Sequence, residues 1–145
     1  MKVLFVCAGN VGRSQQAAAY FNKIANGHAA VSAGTHVERE GKEGQLVSEQ
    51  GPLGFVVAKE AGLDLSSARS RQVTAAMVEE AGKVVVMTAA SDCPEFVRRS
   101  PKTIFWEVQD PREMDYAGRK RILRIIQGKV DELVKELGKR SVLKS

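Results

Sequence analysis

Val3-Leu4-Phe5-Val6-Cys7-Ala8-Gly9-Asn10-Val11-Gly12-Arg13-Ser14-Gln15-Gln16-Ala17-Ala18-Ala19 passes from an unbroken apolar stretch, through a loop of small residues, into an alanine-rich segment. Val3 to Val6 shows no polar alternation, the pattern of a strand covered on both faces. Ser14 to Ile24 predicts a helix beginning at about Arg13, because alanine is the best helix former, and Asn26-Gly27 stops it. In such a strand–loop–helix unit a ligand sits where the strand ends and the helix starts.

The rest of the chain repeats the alternation. Ala29 to Ala33 predicts a second strand. From Gly34 to Gly51 the chain is polar and punctuated by glycine, and a mobile loop is expected. Leu53 to Ala61 predicts a helix closed by Gly62, and Val73 to Ala81 another closed by Gly82. Lys83 to Thr88, with three consecutive valines, is the clearest strand, and Ile104 to Trp106 a shorter one. Asp115 is placed to cap a last helix. Its apolar positions Ile122, Ile126, Val130, Leu133 and Leu137 form one face, and the tail past Gly138 is expected to fray. The fold class is therefore α/β. A single domain over residues 1–145 is expected, with a central, mostly parallel sheet of about four strands and helices on both faces.

Composition narrows the chemistry. At 145 residues the chain can bury a core without disulfides or a structural metal. No apolar run approaches the roughly 18 residues of a membrane span. The opening Met1 to Val6 resembles a signal peptide only briefly and ends in glycines and Arg13, so a cytoplasmic location is expected. Two cysteines make no disulfide framework, and with two histidines a metal site is not expected; no cofactor is called for. The net charge of +5 suits an anionic substrate. Nucleic acid is not expected: the basic residues are spread along the chain apart from Arg119-Lys120-Arg121 and Arg124, and one tryptophan and two tyrosines offer few stacking platforms.

The loop Cys7 to Ser14 has the parts of a phosphate-binding loop after the first strand. Gly9, Asn10 and Gly12 tolerate left-handed backbone, so successive N–H groups of Ala8, Gly9, Asn10, Val11 and Gly12 can turn inward as an anion nest. The helix start adds free N–H groups and the positive end of its dipole. The same field favours the thiolate of Cys7, the candidate nucleophile. Arg13 can offer two parallel hydrogen bonds to a tetraoxyanion, and the Ser14 hydroxyl can donate to the sulfur. Cysteine, five residues, then arginine is weak as a pattern by itself. Cys93 and Arg99 repeat it, with Ser100 following. That second stretch has no glycine, carries Glu95 and closes at Pro101, so it is not read as a site. No Gly-Lys-Ser/Thr occurs, which excludes a Walker loop.

Val6-Cys7-Ala8-Gly9-Asn10-Val11-Gly12-Arg13-Ser14 resembles the signature of the low-molecular-weight protein tyrosine phosphatases, whose fold arsenate reductases share. Ser32-Ala33-Gly34-Thr35, Ala61-Gly62-Leu63-Asp64-Leu65-Ser66, Ser70-Arg71-Gln72 and Asp110-Pro111 resemble later family segments in the right order. The resemblance implies that Asp110 is the acid that protonates the leaving oxygen. It also implies that Asn10 shapes the loop with help from Ser32. By its residues alone Asp110-Pro111 is a turn starter.

Departures from the family pattern carry information. Gly12 stands where many of these phosphatases have a second, protective cysteine. Arg112, Glu113 and Met114 stand where eukaryotic members place tyrosines, with Tyr116 the nearest aromatic. Gln15, in place of the usual proline, and Trp106 before Asp110-Pro111 lean toward arsenate reductase. Cys93 alone, with Ala89 and Ala90 upstream, cannot form the two-cysteine relay of the thioredoxin-coupled reductases, so a reductase would need an external thiol or redoxin. The expected function is a cysteine-dependent hydrolase of aryl phosphates, first of all phosphotyrosine in proteins, with phosphate, arsenate or vanadate as oxyanion ligands. The alternatives are an arsenate reductase, a non-catalytic oxyanion-binding regulatory module and, least favoured, a phosphocysteine carrier.

Overall fold

The structure, a computed structural model, describes the backbone of residues 1–144 and the side chains of residues 1–138. Strand β1 (Lys2–Cys7) is flanked by β2 (Ala29–Gly34) and β3 (Lys83–Val86), and β4 (Thr103–Phe105) pairs with β3. The order is β2-β1-β3-β4 and every pairing is parallel. Phe5 faces Ser32 on one side and Val85 on the other. The chain leaves β1 for β2 at one flank and returns to build β3 at the other, so the C-terminal end of β1 lies at the point where the strand order reverses.

Side chains alternate between the two faces of the sheet. Val3, Phe5 and Val85 face α1 (Arg13–Ile24) and α6 (Tyr116–Lys144), packing with Ala17, Ala18, Phe21, Ile122, Ile126, Val130, Leu133 and Leu137. Leu4, Val6, Val84 and Val86 face the other way, toward Val78 of α4 (Ala75–Glu80) and Val97 of α5 (Glu95–Arg98). Burial on both faces is why β1 and β3 read as unbroken apolar runs. Each fully buried side chain of this kind contributes about 1.5–3 kcal/mol. A third cluster joins α2 (Val47–Gln50) and α3 (Pro52–Glu60) to α6 through Val47, Val57, Ala58 and Leu123.

Most element positions follow the sequence reading within a residue or two; the single-turn α5 has no counterpart in it, and three further stretches depart from it. The stretch after Gly34 is folded down rather than open. Val37 and Val47 are buried, Gly44 N donates to Ser70 O at 2.8 Å, and Leu46 bridges to Arg69. Val37 and the pair Leu46-Val47 lie too far apart among polar residues to make a period, so sequence alone did not show α2. The helix expected from Val73 begins at Ala75, because Thr74 caps it by accepting from Met77 N at 3.2 Å while Val73 N bonds Gly34 O at 2.8 Å. The last helix is capped as expected, with Gly118 N donating to Asp115 Oδ1 at 2.9 Å, and it continues past Gly138 to Lys144.

Gly34, at the end of β2, holds the loop after β1 close to the sheet. A Cβ there would lie 2.6 Å from Ala8 O, 2.8 Å from Val37 Cγ2 and 3.0 Å from Asn10 Cβ. Gly34→Ala is expected to destabilise the protein by about 1–3 kcal/mol, the usual cost of overpacking. Urea denaturation of the variant against the parent protein checks this.

Candidate active site

Cys7 is the last residue of β1, and its side chain is buried at the floor of a cleft of about 510 Å³. The cleft is lined by Gly9, Val11, Gly12 and Arg13 from the loop, by Gln50 to Gly54 around the start of α3, and by Asp110, Pro111 and Arg112 on the far rim. Glu40, Lys42 and Arg119 complete the lining. Asn10 is buried behind this surface, while Ala8 lines an adjoining groove with Arg13, Trp106 and Asp110, its O accepting from His36 N at 3.0 Å. The amides of residues 8–12 donate to no protein acceptor among the described residues, and no side chain caps α1. Those N–H groups are the donors an anion nest requires.

Asn10 organises the loop. It is the one non-glycine residue with positive φ (54°) among the described residues, and it is fully buried. Its side-chain Nδ2 donates to Ser14 Oγ at 2.8 Å and to Ser32 Oγ at 3.0 Å. Its Oδ1 accepts from Arg71 N at 2.9 Å and from Gln15 Nε2 at 3.0 Å. Asparagine bears left-handed backbone better than most residues, and here both ends of its amide are satisfied. Ser14 Oγ lies 2.9 Å from Cys7 Sγ. Because Ser14 already accepts from Asn10, its own hydrogen is free to point at the sulfur.

Arg13 is also held from behind. Its Nη1 donates to Met87 O, at the end of β3, and to Val108 O at 3.0 Å. The Nε–Nη2 edge of the guanidinium is left for a ligand, and Nη2 stands 3.8 Å from Asp110 Oδ2. Asp110 is about half exposed, its Oδ1 accepts from Arg112 N at 2.9 Å, and Arg112 Nη2 lies 3.8 Å from Oδ2. Three segments distant in sequence therefore meet here: residues 7–14, residues 69–71 and residues 108–112.

The sequence reading gave no structural role in the loop to Gln15, Ser70 or Gln50. Gln15 is buried, and its Nε2 reaches Asn10 O, Asn10 Oδ1 and Arg69 O at 3.0–3.1 Å, so it braces the loop. Ser70 Oγ donates to Asn10 O at 3.0 Å and accepts from Gln50 Nε2 at 2.9 Å. A long amide in the first turn of an otherwise alanine-rich helix was the available signal for Gln15. None existed for Gln50, which lies in the unforeseen helix. Trp106 packs on Phe5 with ring centroids 5.9 Å apart. Tyr116 donates to Glu60 of α3 and does not line the cleft. No aromatic side chain lines the cleft among the described residues. Cys93 is buried between α5 and the sheet, lines neither this cleft nor the groove beside it, and burial, with Asp92 nearby, pushes its thiol up.

Solved structures share this fold. The YwlE arginine phosphatase from Geobacillus stearothermophilus is 26% identical with a TM-score of 0.83, over 99% of this chain and 97% of that one. A low molecular weight protein tyrosine phosphatase from T. tengcongensis is 28% identical with a TM-score of 0.79, over 94% of this chain and 99% of that one. An arsenate reductase from Archaeoglobus fulgidus is 27% identical with a TM-score of 0.72, over 92% and 98%. A family model described as low molecular weight phosphotyrosine protein phosphatase matches residues 2–143. The chain belongs to that family and is an enzyme of the protein tyrosine phosphatase type.

Proposed function

We propose that the protein hydrolyses phosphomonoesters of aryl alcohols, phosphotyrosine in proteins first among them, through a phosphocysteine formed on Cys7. One observation carries this reading: Cys7, the free edge of Arg13 and Asp110 line a single cleft at the switch point of the sheet. The thiolate of Cys7 attacks phosphorus in line, the S–P bond forms, and the P–O bond to the leaving group breaks. Arg13 and the amides of the loop hold the equatorial oxygens, where charge is spread in the transition state. Asp110 gives its proton to the departing oxygen. Water then attacks phosphorus, Asp110 takes a proton from it, and the S–P bond breaks to release phosphate. The Ser14 hydroxyl, 2.9 Å from the sulfur, stabilises the thiolate as it leaves. A thiol nucleophile needs a reducing compartment, which supports a cytoplasmic location. No helix among the described residues is long and apolar enough to cross a membrane.

The walls beside the loop are aliphatic, from Val11, Pro52, Leu53 and Pro111. They favour a second substrate reading, since an apolar slot without an aromatic partner does not demand a ring. Phosphoarginine, the substrate class named for the Geobacillus relative, belongs in the same assay panel. Arsenate with an added thiol is the third arm. Turnover of aryl phosphate without arsenate reduction supports the proposal. Arsenate reduction that is lost in Cys93→Ser overturns it.

Two predictions follow from the geometry. Iodoacetamide at neutral pH is expected to modify Cys7 first, and phosphate or vanadate to protect it. Cys93, buried and held as a thiol, is expected to react far more slowly and without protection. Peptide mapping by mass spectrometry gives both rates, and equal, unprotected labelling would remove Cys7 from its role. Asp110→Asn is expected to slow cleavage of a phenol ester, whose leaving group has a pKa near 10, by about 10²–10⁴-fold. A nitrophenyl ester needs the proton less and is expected to lose much less. Steady-state turnover of both esters decides, with vanadate affinity expected to stay close to that of the parent protein.

A further inference from the structure

We propose that Arg119 is a positioning residue for Asp110; the inference rests on the reading of Asp110 as the general acid. Arg119 lies in the first turn of α6 and lines the same cleft. Its guanidinium turns back onto the loop that carries Asp110. Nε donates to Met114 O at 3.0 Å and Nη2 to Arg112 O at 2.7 Å. Two carbonyls of the acid loop are thereby fastened to the start of the longest helix.

The loop needs such a fastening. Asp110 is about half exposed, and its ion pairs with Arg13 and Arg112 are both 3.8 Å long. Pairs of that length at the surface contribute little and do not fix a side chain. Its short hydrogen bond, from Arg112 N at 2.9 Å, ties it to its own loop and not to the body of the protein. The place of the carboxyl is therefore set by the backbone of the loop. Arg13 holds that backbone on the N-terminal side, through Val108 O at 3.0 Å. Arg119 holds it on the C-terminal side. A planar fork with donors on separate nitrogens spans two carbonyls at once; a lysine ammonium sits at a single point.

Arg119 acts through another residue, so its test is a leaving-group dependence and a double-mutant cycle. Phenyl phosphate and nitrophenyl phosphate are turned over by the parent protein, Arg119→Ala, Arg119→Lys, Asp110→Asn and the double variant Arg119→Ala with Asp110→Asn. Vanadate affinity and thermal melting are measured on each. Arg119→Ala is expected to lose about 10–100-fold in kcat on phenyl phosphate, part of the usual worth of a general acid. It is expected to lose less than about 3-fold on nitrophenyl phosphate, with vanadate affinity unchanged. In the Asp110→Asn background the same change is expected to have almost no effect, because the group it positions is gone. Arg119→Lys, which keeps the stem and the charge, is expected to show the same selectivity at reduced size, and carries the test if the alanine variant does not fold. Equal losses on both esters, or a full loss added on top of Asp110→Asn, would overturn the inference. If Asp110→Asn itself fails to discriminate the two esters, the acid reading falls and this inference falls with it. A selective Asp110→Asn beside a neutral Arg119→Ala sinks the Arg119 proposal alone.

Discussion

The left-handed turn at Asn10 is the constraint on which the loop depends. A positive φ at a non-glycine residue is sparsely populated and persists only where the surroundings over-determine it. Here the side-chain amide does so with both of its ends. One end reaches Ser14 and Ser32, the other Arg71 and Gln15. The amides around the turn are left without protein acceptors among the described residues, the link to Ser14 places a hydroxyl on the Cys7 sulfur, and the link to Arg71 binds the loop to a segment sixty-one positions away in sequence. Strain in the backbone and satisfaction in the side chain are two sides of one arrangement.

That arrangement is possible because the sheet reverses its order beside β1. All four strands point the same way, so their C-terminal ends lie along one edge. Residues after β1, β2, β3 and β4 then converge without long excursions. Thr35 N bonds Cys7 O at 3.0 Å, and Met87 O and Val108 O both serve Arg13. The core clusters on the two faces keep that edge in register, and α1 and α6 together cover one face.

The parts of the molecule legible in the sequence are those governed by local rules. Val3 to Val6 announces a buried strand, Ala17 to Ala19 a helix, and Ile122 to Leu137 one apolar face, because each pattern follows from backbone period and propensity. The small residues of the Cys7 to Ser14 loop announce an anion nest for the same reason. Asp110 was legible only through resemblance, since Asp-Pro alone is a turn. Gln50, Ser70 and the clamp on Arg13 depend on contacts between segments far apart in the chain, and no local pattern encodes them. The folded stretch after Gly34 escaped for a related reason: a single buried valine such as Val37 gains its place from Gly34 and the loop beneath it, and its immediate neighbours are polar.

The clamp on Arg13 has a kinetic consequence. One edge of its guanidinium is hydrogen-bonded to two separate segments before any anion arrives. Ordering a free side chain on association costs about 0.5–1.5 kcal/mol, and here most of that ordering belongs to folding. An incoming dianion meets an Arg13 already in place. Capture is then governed by diffusion in the field of a chain whose net charge is +5, so ionic strength, through screening over about 10 Å at 0.1 M salt, is the variable that sets how often an encounter succeeds.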